Sequence, residues 1–221
     1  MRDNRIQFDL ERKLRRYAIA DLMKYIVIGQ GIVYILQFVW PSLGYALYSM
    51  MTLSRAGLLR GQIWRLVTFI FAPPASSPLF ALFSLYFYYI IGTGLESRWG
   101  KVKFCLYYLV GMVCAWIACL LTGYASNAYL NLSLFFAFAA MFPNEPVLLF
   151  GILPIKMKYL ALVDVLIYLQ QFIAGPASTR VTIVLCLLNV ILFLGGDLLN
   201  TLRRESQYWK TRYNFRKTMR R

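Results

Sequence analysis

Apolar residues in this chain come in long uncharged runs parted by short basic patches. A helix needs about 20 mostly apolar residues to cross the hydrocarbon core, and fewer inside a protein bundle. Six runs qualify, near Tyr25–Trp40, Leu79–Leu95, Phe104–Thr122, Ala128–Phe142, Tyr159–Ala174 and Val181–Leu202. Pro41 follows the first run and Pro143 the fourth, at places where a proline stops a helix. The pattern predicts an all-α membrane protein: a six-transmembrane-helix bundle over residues 25–202, with a basic N-terminal segment over 1–24 and a basic C-terminal tail over 203–221.

Charge sharpens this picture. Only 15% of the residues are charged, where a soluble domain carries about a quarter. Arginine and lysine in short loops set orientation. They gather in the N-terminal segment, after the second run (Arg98, Lys101, Lys103), between the fourth and fifth (Lys156, Lys158) and in the C-terminal tail. Six spans put all four groups on one side, so both termini are expected in the cytoplasm. The opposite loops are poor in charge, except the first, with Arg55, Arg60 and Arg65. The long charged N-terminus does not read as a cleavable secretory signal, so the first span is expected to be retained.

The net charge of +15 points to membrane lipids rather than to nucleic acid, because the basic residues flank apolar spans and meet anionic headgroups there. The N-terminal stretch 6–23 fits either an interfacial amphipathic helix or a solvated tail that enforces topology. Cys105, Cys114, Cys119 and Cys186 all fall in apolar runs, with no CxxC pair and no histidine to join them. They read as small packing residues. No metal site and no cofactor is expected.

Four motifs occur in order. The first loop ends in Gly61-Gln62-Ile63-Trp64-Arg65-Leu66-Val67-Thr68, and the second run closes in Gly92-Thr93-Gly94-Leu95-Glu96-Ser97-Arg98-Trp99-Gly100. Met141-Phe142-Pro143 precedes Leu148-Leu149-Phe150-Gly151-Ile152-Leu153-Pro154, and Leu194-Gly195-Gly196 lies in the sixth run. Over residues 61–199 this series resembles the rhomboid superfamily, including its derlin branch. The resemblance implies a rhomboid-like bundle with structural motif residues Trp64, Arg65, Gly92, Glu96, Gly100, Gly195 and Gly196.

Read as residues, Trp64 and Arg65 suit a membrane edge, with the guanidinium on loop carbonyls or lipid phosphate. Glu96 stands beside Arg98 and Lys101 and is expected to form a structural ion pair. The glycines permit close helix approach.

The resemblance also marks what is missing. Active rhomboids use a serine in a GxSG motif and a histidine base. Here Ala128 falls at the serine position and Phe193 at that of the histidine, while Phe80 and Ser84 fall at the oxyanion positions. The chain contains no histidine at all. A serine hydroxyl without a base is a poor nucleophile, so no catalytic residue is expected and the chain reads as a pseudoprotease.

Asp164 and Asp197 lie inside spans, where carboxylates are costly and often functional. Neither stands in a YD or GxGD context, so an aspartyl protease fits poorly. Asp164 can pair with Lys156 or Lys158 by snorkelling.

The leading expectation is a client-binding membrane protein. By family resemblance, transmembrane segments of other proteins would enter a lateral gate between the second and fifth helices, for quality control, trafficking or regulation. Candidate client-binding residues are Tyr86, Tyr88, Asp164 and Tyr168, although tyrosines here also fit an interfacial belt. A small lipid-handling protein or transporter on the same frame is the alternative. An active intramembrane serine protease fits least. A bacterial plasma membrane is the expected location, with an organelle membrane such as the endoplasmic reticulum as the alternative.

Overall fold

The computed structural model describes residues 16, 18–74, 77–149 and 153–195. The N-terminal segment, the C-terminal tail, Gly196 and Asp197 lie outside them. In chain order the elements are α1 (Leu22–Val39), α2 (Pro41–Met51), β1 (Leu53–Ser54), α3 (Arg55–Leu59), and α4 (Arg65–Thr68), which runs into a 3-10 turn (Phe69–Phe71). Then come α5 (Pro78–Trp99), α6 (Lys101–Thr122), β2 (Tyr124–Ala125), α7 (Ala128–Met141), β3 (Pro146–Leu149), β4 (Leu153–Lys156) and α8 (Met157–Ala174). The last described helix is α9, Ala177–Gly195.

Five of these helices, α1, α5, α6, α8 and α9, are long and apolar enough to cross a membrane. The all-α membrane architecture is therefore observed. The fourth apolar run forms a shorter helix, α7, of 14 residues, or about 21 Å. It lies at the centre: α5, α6 and α8 all pack on it, and α9 hydrogen-bonds to it. Leu130 to Phe135 are buried without a break. A helix sheathed by its neighbours does not have to match the bilayer thickness.

The ends of the spans depart from the hydropathy pattern for local reasons. α5 runs four residues past Leu95 through Glu96–Trp99. Polarity ended the apolar run, but the helix ends only where Gly100 adopts φ 79°, a left-handed conformation that suits glycine. α9 begins four residues before the apolar run. Pro176 enters it, and the Thr179 N–H donates to the Pro176 carbonyl at 3.0 Å, so a polar first turn is still helix.

Between Thr52 and Pro74 no helix is long enough to cross a membrane, and the chain folds over one end of the bundle. Its backbone polar groups need partners there. β1 pairs antiparallel with β2, Leu53 opposite Ala125. The Trp116 indole donates to the Leu66 carbonyl at 2.9 Å. Gln30 of α1 donates to the Ile70 carbonyl at 2.7 Å, and Asn127 donates to the Ile70 and Ala72 carbonyls at 3.3 and 2.7 Å. At the other end of the bundle β3 and β4 form an antiparallel hairpin, Pro146 opposite Lys156.

Candidate functional site between the second, fourth and fifth spans

Arg65 is 9% exposed. Its Nε donates to Gln62 Oε1 at 2.6 Å, and one terminal nitrogen donates to the Ser49 and Thr52 carbonyls at 2.7 and 2.6 Å. Of the two sequence readings, the geometry selects the loop-folding one. Trp64 is 52% exposed and turns outward. The third arginine-bearing position of this loop is thus a buried organiser, not a topogenic charge.

Gly92 faces Met23 so closely that a Cβ would overlap that side chain. One turn further, Glu96 accepts a hydrogen bond from the Asp21 backbone N–H at 2.9 Å. The expected ion pair with Arg98 or Lys101 is not formed: no salt bridge occurs among the described residues. The carboxylate instead meets an unsatisfied N–H and the positive end of α1. Among the described residues, Gly195 has only Ile191 of its own helix near it.

The positions aligned with a catalytic dyad do not face one another. Cys186 of α9 donates through sulfur to the Tyr129 carbonyl at 3.1 Å. Asn189 Nδ2 donates to Ser133 Oγ at 3.3 Å. Ala128 is therefore level with about Cys186, while Phe193 lies seven residues deeper, about 10 Å along the axis. An ungapped count along one sequence cannot reveal such an axial offset. Phe193 packs edge-on against Tyr107, with ring centroids 5.1 Å apart, and Ala128 is exposed. Ser133 also donates to the Leu130 carbonyl at 2.9 Å, so its hydroxyl is engaged on both sides. A cavity of about 20 Å3 lies beside this pair, with Gly111, Cys114, Ser126 and Tyr129 among its walls. It has room for about one water. Phe80 is exposed near the start of α5, and Ser84 is half-buried one turn on.

A second polar group gathers where α5, α7 and α8 meet. α8 presents one stripe to the bundle, Met157, Leu160, Ala161, Asp164 and Tyr168, while its other residues are mostly exposed. Asp164 and Tyr168, four apart, share that face. Tyr88 of α5 stands beside Asp164 and Asn131. Tyr168 neighbours Asp164, Tyr129 and Tyr88, with its ring 6.4 Å from that of Tyr129. Three of the four candidate client-binding residues are thus brought together. Tyr86 is not: it is 55% exposed on another face of α5.

The expected pairing of Asp164 with Lys156 or Lys158 is absent. Lys158 sits over the Tyr159 ring at 5.2 Å instead, because both lysines precede Asp164 by about two turns. Sequence reading missed Asn131, whose apolar neighbours hid it, as well as Gln30 and Asn127.

The surroundings leave this group accessible from the side. α5 and α8 each pack on α7 but make at most marginal contact with one another. Only 6% of α8 is buried, against 44% of α6. Next to this group, Leu132, Phe136, Val165, Tyr168, Phe172 and Leu187 line an apolar groove of about 270 Å3 between α7, α8 and α9, so Tyr168 borders both. No group of histidine, cysteine, aspartate or glutamate among the described residues is placed to hold a metal.

Fold and site together define a multi-pass, all-α integral membrane protein with a polar seam inside the bundle. The chain belongs to the family described as eukaryotic integral membrane protein (DUF1751), whose model matches residues 22–194. A comparison with curated proteins finds no match. The family's eukaryotic description lends no support to a bacterial plasma membrane and is compatible with an organelle membrane.

Proposed function

We propose that this protein is a non-catalytic, rhomboid-like membrane protein that receives transmembrane segments of client proteins at the seam between α5 and α8. The observation that carries this reading is Asp164. Its carboxylate is half-buried in the midsection of a span, beside Tyr88 and Tyr168, with no ion pair among the described residues. Intramembrane carboxylates are retained where they meet a partner or line a pathway. Weak contact between α5 and α8 gives a partner helix access from the bilayer.

A non-catalytic role is supported by the chemistry within the bundle. The chain has no histidine, and the residues that face each other between α7 and α9 are Tyr129 with Cys186 and Ser133 with Asn189. Neither pair contains a base for serine activation. The proposed setting is an organelle membrane such as the endoplasmic reticulum, with both termini in the cytoplasm. Client handling there would serve quality control, trafficking or regulation.

A lipid-handling role draws on the apolar groove between α7, α8 and α9, which can admit an acyl chain. One experiment separates the two readings. A photocrosslinker is placed at Tyr168 and, as control, at the exposed Leu109 of α6, in native membranes. Client binding requires distinct membrane proteins at Tyr168 that are absent at Leu109. Lipid adducts alone at both positions would overturn it and favour lipid handling.

A further inference from the structure

Resting on the client-binding reading, we propose that the seam selects transmembrane segments that carry a lysine or arginine near their middle, with Asp164 as the counter-ion.

Three observations lead there. First, Asp164 is the eighth residue of the 18-residue α8, about 10 Å from its start, so its carboxylate lies well inside the span. Second, the helices around the seam supply no cation at that depth among the described residues. Residues 78–97 of α5, all of α7 and residues 181–195 of α9 contain no lysine or arginine, and Lys158 is turned to the Tyr159 ring. Third, the seam holds one buried acceptor that makes no hydrogen bond among the described residues. Asn131 is 4% exposed, and its Oδ1 is buried without a donor among the described residues. It stands beside Tyr88, which in turn neighbours Asp164.

A buried acceptor with no donor costs free energy, and so does a carboxylate in hydrocarbon. One ligand chemistry relieves both: a group with several N–H donors and a positive charge. An ammonium offers three donors and a guanidinium five. On a client helix such a residue is itself costly in the bilayer, so pairing relieves both chains at once. A leucine-only segment gains nothing from Asp164. A segment with a central asparagine gains hydrogen bonds but no charge pairing.

The test uses the full-length chain reconstituted in phosphatidylcholine vesicles. Synthetic segments of about 20 apolar residues carry leucine, asparagine or lysine at the centre and a benzophenone one turn away. Crosslinked protein is quantified and the attachment site read by mass spectrometry. The expected result is about tenfold more capture of the lysine segment than of the leucine segment, with adducts on α5 and α8. Asp164→Asn should remove that excess, Asp164→Glu should retain it, and the asparagine segment should be captured alike by wild type and Asp164→Asn. Equal capture of the lysine and leucine segments by the wild-type chain overturns the charge selection while leaving client binding intact. No capture of any segment overturns both. Because the wild-type peptide series decides the matter alone, poor folding of a variant does not protect the proposal.

Discussion

The backbone N–H of Asp21 donates to a Glu96 carboxylate oxygen 2.9 Å away, joining residues 75 positions apart in sequence. This bond ties the entrance of α1 to the last turn of α5. Glu96 thereby serves as a cap that α1 lacks locally, since Asp21, at φ 54°, makes no side-chain cap bond. Its second oxygen is buried without a donor among the described residues. Glu96→Ala is expected to cost about 1.5 kcal/mol, at the lower end for a charge-assisted bond because the site is partly exposed. That corresponds to a fall of roughly 3–6 °C in apparent Tm for a domain of this size. Glu96→Gln keeps an acceptor and should lose about half as much. Thermal unfolding of the purified variants in one detergent checks both. Equal losses for alanine and glutamine would point to packing rather than to the hydrogen bond.

Hydropathy made the spans legible because α1, α5, α6, α8 and α9 must each satisfy the bilayer alone. It also located α7, whose apolar residues face helices in place of lipid. The partners of polar residues were hidden. Glu96 has Arg98 and Lys101 near it in sequence, yet its partner lies on α1. Asp164 has Lys156 and Lys158 nearby, yet the helix turns them away. Such pairings depend on which faces meet, and a face is fixed by packing across the bundle. Glycine spacing carried part of that information: Gly92 and Glu96 mark one face of α5, and that face is where α1 docks. The level at which α9 sits against α7 leaves no mark in sequence, so motif spacing alone does not show that Ala128 and Phe193 lie at different depths.

Arg65 organises the first loop through three acceptors: Gln62 Oε1, Ser49 O and Thr52 O. Arg65→Ala leaves all three without this donor and opens space beside Gly57, whose α-carbon hydrogen faces the Arg65 stem. A loss of about 3 kcal/mol is expected. Arg65→Lys should rescue little, because an ammonium cannot reproduce the spread of a planar guanidinium. Limited proteolysis of vesicles, with cleavage mapped within residues 53–72, checks this. Both variants should be cut faster than wild type, with lysine closer to alanine than to arginine.

Two glycines that both hold helices close should differ in tolerance. A Cβ at Gly92 would overlap the Met23 side chain near its root, where it has little freedom to move. At Gly111 the nearest atom is Asn189 Nδ2 at 3.0 Å, the end of a side chain that can shift by a few tenths of an ångström. Gly92→Ala is expected to cost about 1–3 kcal/mol by overpacking, and Gly111→Ala less than about 1 kcal/mol. Because Gly92 sits beside the Asp21–Glu96 bond, Gly92→Ala combined with Glu96→Ala should cost less than the sum of the two alone. Thermal unfolding of the singles and the double measures this. Full additivity would show that the helices do not separate at Gly92.

Gln30 and Asn127 share one acceptor, the Ile70 carbonyl, at 2.7 and 3.3 Å. Asn127 alone also holds the Ala72 carbonyl. The 3-10 turn is set against the bundle where water is scarce, so a carbonyl left bare there costs about 1–3 kcal/mol. Asn127→Ala strips Ala72 and should cost the most of the single variants. Gln30→Leu leaves Ile70 with Asn127 as donor and also removes the orphan Gln30 Oε1, so its cost should be small. With both changes Ile70 has neither donor, and the double variant is expected to fall below the sum of the singles by about 1 kcal/mol. A thermal double-mutant cycle measures that coupling. A coupling of zero would mean that Ile70 is served by one side chain only, and that the 3.3 Å contact carries no weight.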